Sequence, residues 1–269
     1  RISPVREFTE RLKAGERLGQ TQIAEVMNHL YGSSSNGAWN WKSATDAIEA
    51  AMVSYLLQQP KLSLFELRSL QDLTVDHRVR TQEQIDLQQF SSPLELAWLV
   101  AKAAMVTASD ILLEPSAGTG LLVGTSINQN TKPTHITLNE FSKSRRDLLA
   151  EIFPQAERYS VNAEYLNDML LQRIKPSVIV MNPPFSRSLT STKRNPDVCL
   201  KHLRSALLRL LPNGRLVAIV AHWLSPAKHP DYFATLPAKL RLSVYLDGNF
   251  YRHHGTTMPT RLLVFDKVE

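Results

Sequence analysis

Residues 178–186 read V-I-V-M-N-P-P-F-S, and the fold follows from how they are read. Val178, Ile179, Val180 and Met181 form a run too short and too β-branched for a helix, so a buried strand is expected. Asn182, Pro183 and Pro184 end it, because neither proline can donate to a ladder and each fixes its own φ. Phe185 follows, where a ring would project from the rim of a sheet. Asn182 carries a carboxamide oxygen and Pro183 a carbonyl, two acceptors that suit the two hydrogens of an exocyclic amine. An amine conjugated to a purine is a poor nucleophile until its lone pair is localised, and Phe185 can stack on the ring that bears it. The plain alternative is a Pro-Pro turn at a strand end.

A second stretch points the same way. Residues 111–114 (I-L-L-E) read as another short strand, and P-S-A-G-T-G-L follows at 115–121. Gly118 and Gly120 allow a tight turn and close approach of a ligand to the backbone. A helix over 121–128 would then aim its free N–H groups at that ligand. No Lys-Ser/Thr follows the glycines, so this is not a P-loop, and it lacks the three-glycine dinucleotide fingerprint. The next strand, 134–138, ends in Asn139 and Glu140. An acid about 20 residues past a glycine turn is placed to bind ribose hydroxyls, and it equally suits the start of a helix.

In their order and spacing, residues 115–120, Glu140 and 182–185 resemble motifs I, II and IV of amino-methyltransferases that use S-adenosylmethionine. F-S-S-P at 90–93 resembles motif X of the adenine-specific DNA methyltransferases. More narrowly, E-A-A-x-V at 49–53, R-T-Q-E-Q at 80–84, and the segments around 88–93, 114–122 and 182–188 resemble the methyltransferase-like domain ahead of helicases in strawberry-notch-like proteins of bacteria, plasmids and phages. The resemblance implies a class I methyltransferase (Rossmann-like) α/β fold, with a mostly parallel seven-stranded sheet and an N-terminal helical domain. It implies S-adenosylmethionine as cofactor, held by Ser92, Pro93, Glu114, Pro115, Ala117, Gly118, Gly120, Glu140, Phe141, Asn162, Ala163 and Asn182. It also implies methyl transfer to the 6-amino group of adenine in DNA at Asn182, Pro183, Pro184 and Phe185, with a helicase domain as partner. The same turn serves enzymes acting on RNA bases and, usually with tyrosine, on protein glutamine. Asn162 departs from the pattern, which has an acid there to accept from the cofactor's adenine amine; as an asparagine it also suits a helix N-cap before Ala163.

At 269 residues and 43% hydrophobic, the chain can bury one large core and a smaller appendage, expected as domains 1–86 and 87–269. A net charge of +6 and a pI near 9.5 favour an acidic partner such as nucleic acid. One cysteine, Cys199, excludes an internal disulfide and fits a reducing compartment, hence the cytoplasm. No stretch is long and apolar enough to span a bilayer. With no methionine at its start and sheet-like sequence at its end, the chain reads as a piece of something longer. Sequence specificity is then expected from the N-terminal helices, the 186–195 loop or a partner.

Helical spacing is expected over 5–18, 21–31 and 43–57, with a loop at 32–37. Trp39 and Trp41 after that loop would pin it to the helices, or stack on single-stranded nucleic acid. From Pro93 the pattern alternates in the α/β manner. Helices are expected at 94–106, 141–152, 163–173 and 196–211, the last capped by Asn213 and Gly214, with strands at 157–161, 177–181 and 215–221. A closing hairpin, 242–246 with 261–265, would leave one reversed strand at the sheet edge. Arg187, Lys193 and Arg194 sit in a basic, aperiodic loop suited to phosphate. From Lys201 onward the cations read as a solvated helix face. The hairpin loop resembles motif VIII, which implies Phe250 or Tyr251 as a second ring against the target base. His253 and His254 point apart on a strand and have no completing ligands, so no metal is expected. His222 and Trp223 would line a pocket wall.

Overall fold

The computed structural model describes residues 3–74, 92–128, 131–185, 197–254 and 257–269, except for the side chains of 252–254. In chain order the strands are β1 Ile111–Glu114, β2 His135–Asn139, β3 Glu157–Tyr159, β4 Val178–Met181, β5 Arg215–Ala221, β6 Lys239–Leu246 and β7 Thr260–Asp266. They form one sheet in the order β3-β2-β1-β4-β5-β7-β6. The first five are parallel, and β7 runs antiparallel to both β5 and β6. The reversed strand therefore lies one place in from the edge, not at it. Because the hairpin inserts β7 against β5, β6 is left outermost, and its residues are mostly exposed.

The described helices are α1 Pro4–Lys13, α2 Gln20–Tyr31, α3 Trp41–Leu57, α4 Leu64–Asp72, α5 Leu94–Ala104, α6 Leu121–Ser126, α7 Lys143–Ile152, α8 Leu166–Met169, α9 Asp197–Arg209 and α10 Pro230–Ala234. Their starts follow local chemistry. Asn40 with Ser43, and Ser63 with Glu66, form capping boxes ahead of α3 and α4. The expected helix at 163–173 is a 3-10 turn (Ala163–Tyr165) followed by the single turn of α8. The last long helix ends at Arg209, and Asn213, at φ 63, takes the left-handed position further on.

Strand residues alternate between two apolar layers, as a pleat requires. Leu112, Val178, Val180, Val217, Ile219, Leu262 and Val264 share one core with α1–α7, whereas Leu113, Ile179, Met181, Leu216, Ala218, Leu263 and Phe265 share the other with α8 and α9. The N-terminal helices thus sit in the same core as the sheet's first face. The boundary expected at residue 86 lies outside the described residues. Arg209 is no solvated cation: it is buried, and its guanidinium donates to the carbonyls of Asn167, Leu170 (2.9 Å), Leu171 (3.3 Å) and Ile174, capping the chain around α8. Arg204 likewise donates to the Thr235 carbonyl and hydroxyl. Cys199 is buried, and burial pushes its thiol up to about 12. No described helix is long and apolar enough to cross a membrane.

Candidate active site

Four neighbouring strand ends build the site. Gly118, Glu140, Asn162 and Asn182 each follow the carboxyl end of a strand, and those strands lie side by side as β3-β2-β1-β4. The chain leaves β1 to one side and β4 to the other, so a crevice opens between their ends, where open α/β sheets bind ligands.

The glycine turn is held from several directions. Gly118 (φ +54) and Gly120 (φ +85) are both left-handed. A Cβ on Gly118 would meet nothing, so the turn's open side faces space a ligand can enter. A Cβ on Gly120 would strike Phe153 and Leu149. The Gly118 N–H donates to Glu140 Oε2 at 2.7 Å, and the Ser142 N–H donates to Glu140 Oε1 at 2.8 Å. Glu140 is therefore fixed at the β2 end, with a second lone pair on each oxygen directed elsewhere.

Glu114 does something different from binding a ligand directly. It is 2% exposed and accepts from the Val123 N–H (3.3 Å), tying β1 to the first turn of α6. One of the N–H groups expected to face the ligand is thus occupied, and α6 is only six residues long. Burial, assisted by Glu140 nearby, holds the Glu114 carboxyl well above the ordinary range, while the Val123 bond opposes the shift.

Asn182 is half-buried, and its Nδ2 donates to Ser92 Oγ at 2.9 Å. This bond joins the chain just before α5 to the turn after β4, across 90 positions, and turns the carboxamide oxygen away from Ser92. Ser92 and Pro93 are buried, as are Pro115, Ala117, Pro183 and Ala163; Pro184 is half-buried. Asn162 Oδ1 accepts from the Glu164 N–H at 3.1 Å, which is the N-cap arrangement. Phe141 is 55% exposed, so it is not a core residue and its ring stands open beside Glu140.

Two aromatic expectations change. Phe185, expected to project from the rim, is buried at 7% exposure. Tyr251 does not stand free as a stacking ring: at 1% exposure it belongs to the core, and its side chain interacts with Asn182. Burial raises the Tyr251 phenol, against the opposing effect of Asn182. Phe250 packs partly against the same core. A large ring in a loop reads from sequence as available, but loop aromatics are also what a sheet's end uses to close its core. Trp223 is half-buried and packs against the opposite core. Trp39 is buried, with Nε1 donating to Asn28 Oδ1 at 2.9 Å, and so pins its loop to α2; Trp41 meets it edge-on and is half exposed. Arg187, Lys193 and Arg194 lie outside the described residues, as do the side chains of His253 and His254. Among the described residues no group of acids, histidines and cysteines could hold a metal ion.

Asn139 was not singled out by its sequence, yet it organises the site. Its Nδ2 donates to the carbonyls of Pro115 (2.9 Å) and Val161 (3.0 Å), and its Oδ1 accepts from the Val161 N–H (2.9 Å). Its own carbonyl accepts from Ala117 N–H (2.9 Å). One buried amide therefore ties the ends of β1, β2 and β3. The available signal was a polar residue closing an otherwise apolar strand, which a turn would also explain.

No protein-family model matches the chain, and no curated protein does. Solved structures do. A putative class I S-adenosylmethionine-dependent methyltransferase from Listeria monocytogenes superposes at a TM-score of 0.53 and 14% identity, over 98% of this chain and 79% of its own. A modification subunit of a putative type I restriction enzyme from Vibrio vulnificus gives 0.53 and 15%, over 82% of this chain and 57% of that subunit. A putative RNA methyltransferase from Pyrococcus horikoshii gives 0.52 and 15%, over 72% and 93%. Taken with the strand order and the crevice between β1 and β4, these likenesses give the chain the class I S-adenosylmethionine-dependent methyltransferase fold.

Proposed function

We propose that this chain transfers a methyl group from S-adenosylmethionine to the exocyclic 6-amino group of adenine in DNA. The observation that carries the reading is Asn182, at the end of β4, oriented by Ser92 beside the glycine turn at the end of β1. The residues fit the cofactor: the turn is open at Gly118, and Glu140 is fixed as an acceptor at the β2 end. Ser92, Pro93, Glu114, Pro115, Ala117, Gly118, Gly120, Glu140, Phe141, Asn162, Ala163 and Asn182 are the residues we assign to holding it. Among these, Glu114 acts by anchoring α6 and Phe141 by covering the adenine. When bound, the cofactor supplies a methyl group activated on a sulfonium.

The chain's own part is to prepare the amine. Asn182 Oδ1 and the Pro183 carbonyl accept its two hydrogens out of the ring plane, which localises the nitrogen lone pair. Pro184 stiffens the turn, and Phe185 is the ring we assign to the base's face. The product ammonium is acidic enough to lose its proton to water, so no side chain need act as base. Arg187, Lys193 and Arg194 would contact phosphates, and Phe250 the far side of the base. A pI near 9.5 supports an acidic partner.

The test is methyl transfer from isotopically labelled S-adenosylmethionine to duplex DNA, single-stranded DNA and RNA in parallel, read by nucleoside mass spectrometry. Labelled 6-methyladenine from DNA is expected, with Asn182→Ala slowing it by about 10²–10³-fold while cofactor still binds. Normal turnover in Asn182→Ala would sink the mechanism. Label appearing only in RNA would favour the second reading, an RNA base methyltransferase, which the likeness to the Pyrococcus protein supports. Cofactor binding without transfer would favour a non-catalytic module serving a helicase-containing protein, a reading that uncharged Asn162 supports.

A further inference from the structure

The segment E-A-A-x-V at 49–53 has no place in the chemistry above, although it lies in α3 against the cofactor turn. Asp46, Glu49 and Val53 recur at i, i+3 and i+7, so they share one face of that helix. Each meets a different part of the β1–α6–α7 region. Asp46 Oδ1 accepts from Arg145 of α7 at 3.0 and 3.3 Å, with both side chains buried. Glu49 Oε2 accepts from the Thr119 hydroxyl at 3.2 Å, also buried. Val53 Cγ1 lies 2.6 Å from where a Cβ on Gly124 of α6 would stand, so the helices touch through the missing side chain. Ala50 and Ala51 are wholly buried, and small residues let α3 lie close to its neighbours.

Thr119 is the informative contact. It sits between two left-handed glycines, so its side-chain direction fixes the turn's orientation. Glu140 holds Gly118 from the sheet side and Glu49 holds Thr119 from the helical side, so the turn is clamped between an acid of the sheet and an acid 70 residues upstream. Resting on the cofactor reading above, we infer that Glu49 is a positioning residue for S-adenosylmethionine: the N-terminal helical segment sets the shape of the glycine turn through the Glu49–Thr119 bond. Glu49 need not touch the cofactor. Its effect is to keep the Gly118 backbone presented, which without the clamp would have to be ordered at the moment of binding.

Calorimetric titration of S-adenosylmethionine into the full chain tests this, with thermal melting as a control for folding. Thr119→Val keeps shape and loses the donor, and Glu49→Ala loses the acceptor; each is expected to weaken binding about tenfold, since bonds to charged groups are the stronger ones. Thr119→Ser and Glu49→Gln keep a donor and an acceptor and should restore most of the affinity. The double variant Glu49→Ala/Thr119→Val should bind no worse than either single one. Unchanged affinity in Thr119→Val, or strictly additive losses, would overturn the inference while leaving the cofactor reading intact. If the unaltered chain binds no S-adenosylmethionine, the cofactor reading fails and takes the inference with it.

Discussion

Glu114 shows how one residue can serve the site at a cost to stability. Its carboxyl is buried at the end of β1, and that burial raises its pKa above the unfolded value. A carboxyl raised in this way contributes stability that is fully present below its unfolded pKa and is lost as pH rises through the folded one. Glu114→Gln keeps an acceptor for the Val123 N–H and removes the titration. Its melting temperature relative to the parent is therefore expected to climb as pH is raised from 5 to 9, measured without cofactor. A pH-independent difference would mean that the carboxyl is not strained by burial. At this scale the sequence was informative where backbone chemistry is peculiar, as at Gly118 or Asn182. It was silent at Asn139, an ordinary residue that acquires its role by burial, and it read Tyr251 as an open ring where burial puts it in the core.

Among the elements, α6 is held in place by a missing side chain. Gly124 leaves room for Val53 of α3, and a methyl group there would have to displace a β-branched side chain packed in the core. Gly124→Ala is expected to destabilise the chain by about 1–3 kcal/mol in denaturant titration, as overpacking does, and Val53→Ala in the same chain should recover part of that loss. No recovery would mean that the two helices do not meet through this contact. The strands were legible because short β-branched runs bounded by Gly, Pro and Asn have few other readings. The helices after them were less so: 163–173 has polar residues enough to continue a helix, yet the chain turns into a coil capped by Arg209 from α9. That capping guanidinium is 35 or more residues away in sequence, and no local pattern announces it.

The molecule as a whole is stitched together where the N-terminal helices meet the sheet. Helices α1–α4 share an apolar core with one face of the sheet, and the buried Asp46–Arg145 pair crosses the same boundary. Burial works against the Arg145 charge, and the carboxylates of Asp46, Glu140 and Glu49 more than offset it, holding the guanidinium above its ordinary value. Removing Arg145 leaves the buried Asp46 carboxylate with only the longer contact to Lys42 Nζ at 3.7 Å, so Arg145→Ala is expected to cost about 3 kcal/mol. Because the core is continuous, calorimetry should show one unfolding transition for helices and sheet together, lowered as a unit in Arg145→Ala. Two separated transitions would show that the helical segment folds on its own.

By itself the sequence determined the α/β order, the strands and the turns that follow β1 and β4, because these depend on short continuous apolar runs and on backbone restrictions of Gly and Pro. Only the tertiary structure decided that β7 lies inside β6, that Phe185 and Tyr251 are buried, and that α3 reaches the glycine turn. Strand insertion, ring burial and long-range ion pairs arise from which surfaces cover one another after the chain collapses. A hydroxyl at Thr119 and a carboxylate at Glu49 carry no mark of each other until a shared core brings them within 3.2 Å.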